Sequence, residues 1–201
     1  MRIKINLQIF IAIIILALAN QIGIYVCLMS FALIHELAHM SAGILLKLKP
    51  KTLEIQPFGI GIIFESFENT EKNKIIIAIA GPTINIIMAI IFSFIEIKAK
   101  EIIVNSNIIL AIFNLIPIYP LDGGRILKSI IKIHSKQENT DDIINKTSNI
   151  LVIIITAISS ILILIYKNIG LLLIIIYLWV IVIRENNKYI LKKRIYKIIK
   201  K

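Results

Sequence analysis

The sequence predicts an all-α polytopic membrane protein of about six transmembrane helices, with one broken helix and a short membrane-associated β-hairpin. Three observations carry that expectation. Of the 201 residues 58% are apolar and the mean hydropathy is +0.88, whereas a soluble domain averages roughly 45–50% apolar residues. The excess lies in long Ile- and Leu-rich runs, too continuous for a surface facing water. The basic residues, which outnumber the acidic ones to give a formal net charge of +11, fall before, between and after those runs. A soluble domain and a disordered chain are thereby excluded, and the single cysteine, Cys27, excludes a disulfide scaffold.

A helix needs about 20 largely apolar residues to cross the hydrocarbon core. The first candidate span is Ile5–Ala19 and the second Ile22–Leu46. The third is Ile75–Ile97 and the fourth Ile102–Ile118. The last two are Ile150–Tyr166 and Ile169–Ile183. Residues 1–183 thus read as one transmembrane domain and 184–201 as a basic tail. Two readings stand for the first span. Arg2, Lys4 and Ala17-Leu18-Ala19 resemble a cleavable secretory signal. Only Asn20-Gln21 separates that run from the next, however, as in a tight helical hairpin.

With the N-terminus inside, all of the 23 Lys and Arg except Lys98, Lys100 and Lys167 fall on the cytoplasmic side. The positive-inside rule therefore predicts a multi-pass protein with both termini cytoplasmic. The charge reads as topology and contact with anionic lipid, so no direct nucleic-acid partner is expected.

The second span carries His35-Glu36-Leu37-Ala38-His39, a HExxH motif. On a helix, residues four apart are separated by about 40° around the axis, so both imidazoles face one way. Two nitrogens on one face can share a zinc ion, and the adjoining Glu36 can take a proton from the attacking water. Chance accounts for only about 0.003 such matches, given 3 His and 12 acidic residues in 201. A carboxylate within a span costs about 2.5–3.5 kcal/mol to insert, which a divalent cation beside it offsets.

A catalytic zinc takes three protein ligands and leaves the fourth place open. The third candidate is Asp122, in the string Asn114–Arg125, where Pro117, Pro120, Gly123 and Gly124 break the helix. Irregular backbone at membrane depth survives only where it is buried or lines a wet cavity. Asp122 can also cap the helix that follows, and capping does not preclude ligation. His134 lies beyond that helix among charged loop residues and reads as solvated.

Taken together, these residues resemble the site-2 protease family of intramembrane zinc metalloproteases. The likeness rests on His35-Glu36-x-x-His39, on Ala80-Gly81-Pro82-Thr83-Ile84-Asn85 in the third span, and on Asn114 to Gly124. It implies one Zn2+ per chain held by His35, His39 and Asp122. Glu36 would be catalytic, hydrolysing a peptide bond in or near a transmembrane segment. Asn114 and Asn85 match polar positions of the family, where one orients substrate or stabilises the developing oxyanion. An interhelical hydrogen bond is the other reading of Asn85. Within the family the likeness is nearest to the sporulation branch, which processes a membrane-associated pro-sigma factor, on Gln56-Pro57-Phe58-Gly59, Asn114–Arg125 and the basic tail. Inhibitory membrane proteins are partners the likeness implies. That branch commonly adds a CBS domain after the tail. None follows Lys201 here, so ATP sensing is not implied. Rival readings are cleavage of signal-peptide remnants or anti-sigma factors and, from another class, a zinc-binding scaffold or transporter.

Two flanking elements complete the expectation. Lys51–Glu65 alternates with period two around Pro57-Phe58-Gly59, as a β-hairpin does. Its edge could pair with an unwound substrate segment, or the loop could simply dip into the headgroups. In the tail, Leu191, Ile195, Ile198 and Ile199 form one stripe amid lysines. A basic amphipathic helix on the inner leaflet follows, with substrate or regulator docking as the other reading.

Overall fold

The computed structural model describes residues 2–5, 22–56, 59–64, 70–134, 140–166 and 169–199. The first candidate span, save Ile5, and the Pro57-Phe58 turn lie outside the described residues. Those described form six α-helices and three strands. In chain order they are β1 (Arg2–Ile5), α1 (Ile22–Leu45), β2 (Pro50–Gln56), β3 (Gly59–Phe64) and α2 (Glu71–Ser93). Then follow α3 (Lys100–Leu115), α4 (Asp122–His134), α5 (Thr140–Tyr166) and α6 (Ile169–Ile199). Helices α1, α2 and α5 are long and apolar enough to cross a membrane. The chain forms two compact units, residues 1–115 and 116–201.

In the first unit α1 and α2 run antiparallel. Phe31 meets Phe92 edge to face with centroids 6.0 Å apart, while at the other end of the pair His39 contacts Ile77. Small buried residues, among them Ala32, Ala78, Ala89 and Ala111, let the helices approach. In lipid, such packing replaces the hydrophobic drive available in water. Large residues such as Val26, Ile90 and Ile109 point outward. α2 begins at Thr70, whose hydroxyl accepts the Asn73 N–H at 3.3 Å, with Glu71 in the first turn.

The predicted hairpin is present and is part of a larger sheet. β2 and β3 pair antiparallel with Leu53 opposite Ile62 and Ile55 opposite Ile60. β1 adds in parallel on the far side of β2, placing Ile5 opposite Ile55. β2 is therefore the central strand, and the outer edge of β3 has no strand partner among the described residues. That changes the strand-pairing idea: Ile55 lies between two strands and only β3 or β1 presents an edge. The sheet is tied to α1 where Phe64 lies against Gly43, leaving no room for a Cβ there.

The helix at the fourth expected span, Ile102–Ile118, ends three residues early. α3 stops at Leu115, after 16 residues, because Pro117 cannot continue it. In the second unit the chain turns through residues 116–121, with a cis Tyr119–Pro120 bond, and enters α4 at Asp122. α5 and α6 pack side by side. The Trp179 indole donates to Thr156 at 3.0 Å and Tyr189 donates to Asp142 at 2.6 Å. α6 runs unbroken from the apolar stretch through the basic stretch to Ile199.

Candidate metal centre

Both HExxH histidines lie on the buried face of α1, each 3% exposed, while Glu36 between them is only half buried. Their Nε2 atoms stand 3.1 Å apart and the rings are nearly perpendicular, at 88°. Two nitrogens bound to one tetrahedral zinc at 2.0–2.1 Å would be separated by about 3.3–3.4 Å. The pair is thus close to ligand spacing. A carbonyl only accepts, so the 2.6 Å contact of His39 Nδ1 with the Ile77 oxygen requires the proton on Nδ1. That fixes the tautomer with the lone pair on Nε2, as an outer-shell carbonyl does for a metal-binding histidine.

Helix α2 forms the opposite wall. Ile77, Gly81 and Asn85 follow one another at i, i+4 spacing along the stripe facing α1. A Cβ at Gly81 would lie 2.5 Å from the Nε2 atoms of both His35 and His39. Only glycine leaves the space before those two nitrogens open. These are donors of the right chemistry around a gap that a side chain would fill, so they fit a zinc ion.

Asn85, one turn further on, is 0% exposed, and neither its amide nitrogen nor its oxygen has a hydrogen-bond partner. Asn107 on α3 is also 0% exposed. Its nitrogen donates to the Ile103 carbonyl at 2.9 Å and its oxygen is unpartnered. Asn107 was not among the residues expected from sequence, where an asparagine in an apolar run was the available signal. Asn114, also on α3, is half buried and donates its amide to the Leu110 carbonyl at 3.0 Å.

Asp122 belongs to the second unit. It opens α4 and is 4% exposed, with the Arg125 guanidinium 3.7 Å from its carboxylate. The turn before it is tight: the Leu121 N–H bonds the Ile118 carbonyl at 2.8 Å, and Arg125 bonds the Leu121 carbonyl at 2.9 Å. Gly124 is pressed against the backbone of Ile118 and Tyr119, where a Cβ cannot fit. The glycines after Asp122 therefore let the helix start flush against the turn. Among the described residues, His35, His39 and Asp122 are the buried members of the His, Cys, Asp and Glu set. His134 is exposed and, among the described residues, bonds the Ile130 carbonyl of its own helix, in keeping with a solvated residue.

Comparison with known proteins agrees with this chemistry. Residues 97–156 match the family model of peptidase family M50. A protein of Synechocystis sp. named as a zinc metalloprotease is 31% identical over 121 residues, covering 55% of this chain and 32% of its own length. Stage IV sporulation protein FB of Bacillus subtilis is 30% identical over 117 residues, covering 55% and 41%. A zinc metalloprotease of Methanocaldococcus jannaschii is 27% identical over 118 residues, covering 54% and 34%. The chain thus spans a third to two-fifths of the length of these relatives, and their near-equal identities single out no sporulation branch. The fold matches that of a site-2 protease from Methanocaldococcus jannaschii with a TM-score of 0.72 and 21% identity, over 91% of this chain and 89% of that one.

Proposed function

We infer that this chain is a site-2 protease of peptidase family M50, and its residues take their roles from that premise. The observation that carries the reading is the pair of buried imidazoles, Nε2 to Nε2 at 3.1 Å, walled by Gly81 and oriented by the Ile77 carbonyl. In this proposal His35, His39 and Asp122 hold one Zn2+; all three are buried and each offers one ligand atom. Bound zinc supplies Lewis acidity toward water and the scissile carbonyl. Glu36, beside the first ligand and half exposed, takes the proton of the attacking water and returns it to the leaving amine. The half-buried Asn114, whose nitrogen is spent on the Leu110 carbonyl, has an amide oxygen that can accept a substrate N–H and orient the peptide. Asn85 is a weaker candidate for direct contact because its amide is sealed from the surface.

The substrate class in this proposal is a membrane-associated protein cut near its cytoplasmic boundary, with the pro-sequence of a sigma factor as the first candidate. The likeness to stage IV sporulation protein FB supports it. Purified wild type is expected to carry about one zinc per chain. His39→Ala should lose the metal, whereas Glu36→Gln should keep it and lose at least about 100-fold in cleavage, the scale of a general base. Co-expression with a pro-sigma factor reads the result on a gel. A shortened product with wild type alone supports the sporulation substrate. Absence of product with zinc bound moves the search to signal-peptide remnants and anti-sigma factors. A zinc-free wild type overturns the scheme.

A further inference from the structure

Away from the histidines, the second unit contains a partly open cavity of about 150 Å3 between α4, α5 and α6. Three ammonium groups line it, those of Lys128, Lys188 and Lys192, together with the carboxylates of Asp141 and Glu185. The pairing is uneven. Asp141 alone receives both Lys128 at 2.8 Å and Lys192 at 2.5 Å, while Lys188 meets Glu185 at 2.5 Å. One positive charge is therefore left over at the open side of the cavity. Burial is the largest single influence on Lys128 and disfavours its charged form, but the hydrogen bond to Asp141 and the attraction of Tyr119, Asp141 and Glu185 together outweigh it and raise the pKa, so it stays charged.

Neutral donors face the same space. Ser148 is buried and spends its oxygen accepting the Tyr119 N–H at 3.0 Å, which leaves its own proton to give. The Asn145 side chain also lines the wall. The lining thus holds a surplus cation, a hydroxyl donor and room for one small anion.

Depth identifies the source. The cavity sits where the polar first turns of α5 give way to its apolar stretch from Ile150, and where the apolar stretch of α6 ends after Ile183. That is headgroup level for both helices, and basic pockets between helices at that level bind anionic headgroups. We propose that this cavity binds a phosphate group, supplied by the headgroup of an anionic phospholipid. Its occupant contacts Lys128, Lys188, Lys192 and Ser148. Because Lys128 also lies 4.6 Å over the ring of Tyr119, three residues before Asp122, occupancy bears on the turn that presents that carboxylate.

The test uses the full chain in nanodiscs of phosphatidylcholine with and without phosphatidylglycerol. Native mass spectrometry counts retained lipid, and thermal unfolding is followed with and without millimolar inorganic phosphate. Wild type is expected to retain about one phosphatidylglycerol in preference to phosphatidylcholine. The double variant Lys188→Gln/Lys192→Gln should lower that retention at least fivefold, whereas Lys98→Gln/Lys100→Gln, which removes the same two charges elsewhere, should not. Both substituted side chains are exposed and Asp141 keeps Lys128, so the fold should survive. Lys188→Glu provides a second variant with the same expected loss. An upward shift with inorganic phosphate, absent in the variants and without any lipid preference, would keep the phosphate site and assign it to a soluble ligand. Equal lipid retention in wild type and variants, with no phosphate shift, would overturn the proposal.

Discussion

Gly81 bears on the metal centre as directly as the histidines do. A methyl group there would stand 2.5 Å from both imidazole Nε2 atoms, and because these are side-chain tips the rings would relieve it by swinging out of their ligand positions. Gly81→Ala is expected to lower zinc affinity at least tenfold while leaving thermal unfolding of the metal-free protein nearly unchanged, as helix propensity favours Ala. Zinc titration and a melting curve on the same sample check both halves. The sequence displayed His35, Glu36 and His39 plainly, because a HExxH spacing brings both imidazoles to one face whatever surrounds them. It could not display that Ile77 sets the tautomer, since any residue offers a backbone carbonyl. Nor could it rank the asparagines: Asn85, Asn107 and Asn114 look alike in apolar runs, and only packing separates the sealed pair from the half-exposed one.

At the scale of elements, α1 ends in a left-handed residue, Lys47, with φ of 63°. The Leu48 N–H returns to the Gly43 carbonyl at 2.9 Å and Lys47 to Ile44 at 2.8 Å, the Schellman pattern. A non-glycine residue costs about 1 kcal/mol in that conformation. Lys47→Gly should therefore stabilise the protein by up to about 1 kcal/mol, visible as a raised melting temperature. The sheet supports a second prediction. Successive residues of an edge strand direct their N–H groups alternately inward and outward, so one of Gly61 and Ile62 offers its N–H at the outer edge of β3. If substrate pairs there, one of Gly61→Pro and Ile62→Pro should abolish cleavage with zinc still bound. Cleavage at wild-type rate in both variants would dismiss strand pairing. Ile55→Pro is the poorer probe, because Ile55 sits on the central strand and its loss damages both ladders.

For the whole molecule, the distribution of charge predicts orientation. β1 and the β2–β3 hairpin share one sheet, so the N-terminal segment and the chain after α1 lie on the same side of the first unit. The basic residues Lys47, Lys49 and Lys51 lie there too. The positive-inside rule assigns that side, and the basic end of α6, to the cytoplasm. A green fluorescent protein fused at the C-terminus should fluoresce, and alkaline phosphatase fused at the same point should be inactive. The opposite pair of results would invert the topology.

The sequence by itself determined the class of the molecule and named the candidate residues of its proposed centre. Both rest on local quantities: the length of an apolar run against the thickness of a bilayer, and the angular spacing of residues on a helix. Asp122 was legible because two prolines and two glycines around one acid admit few other readings at that depth. Tertiary structure decided what depends on partners far along the chain. It added β1 to the hairpin and carried α6 past its apolar stretch to Ile199. It also converged Lys128, Asp141 and Lys192 on one cavity, although 64 residues part the first from the last. Strand addition and ion pairing draw their free energy from contacts between distant segments, which no periodicity within a window records.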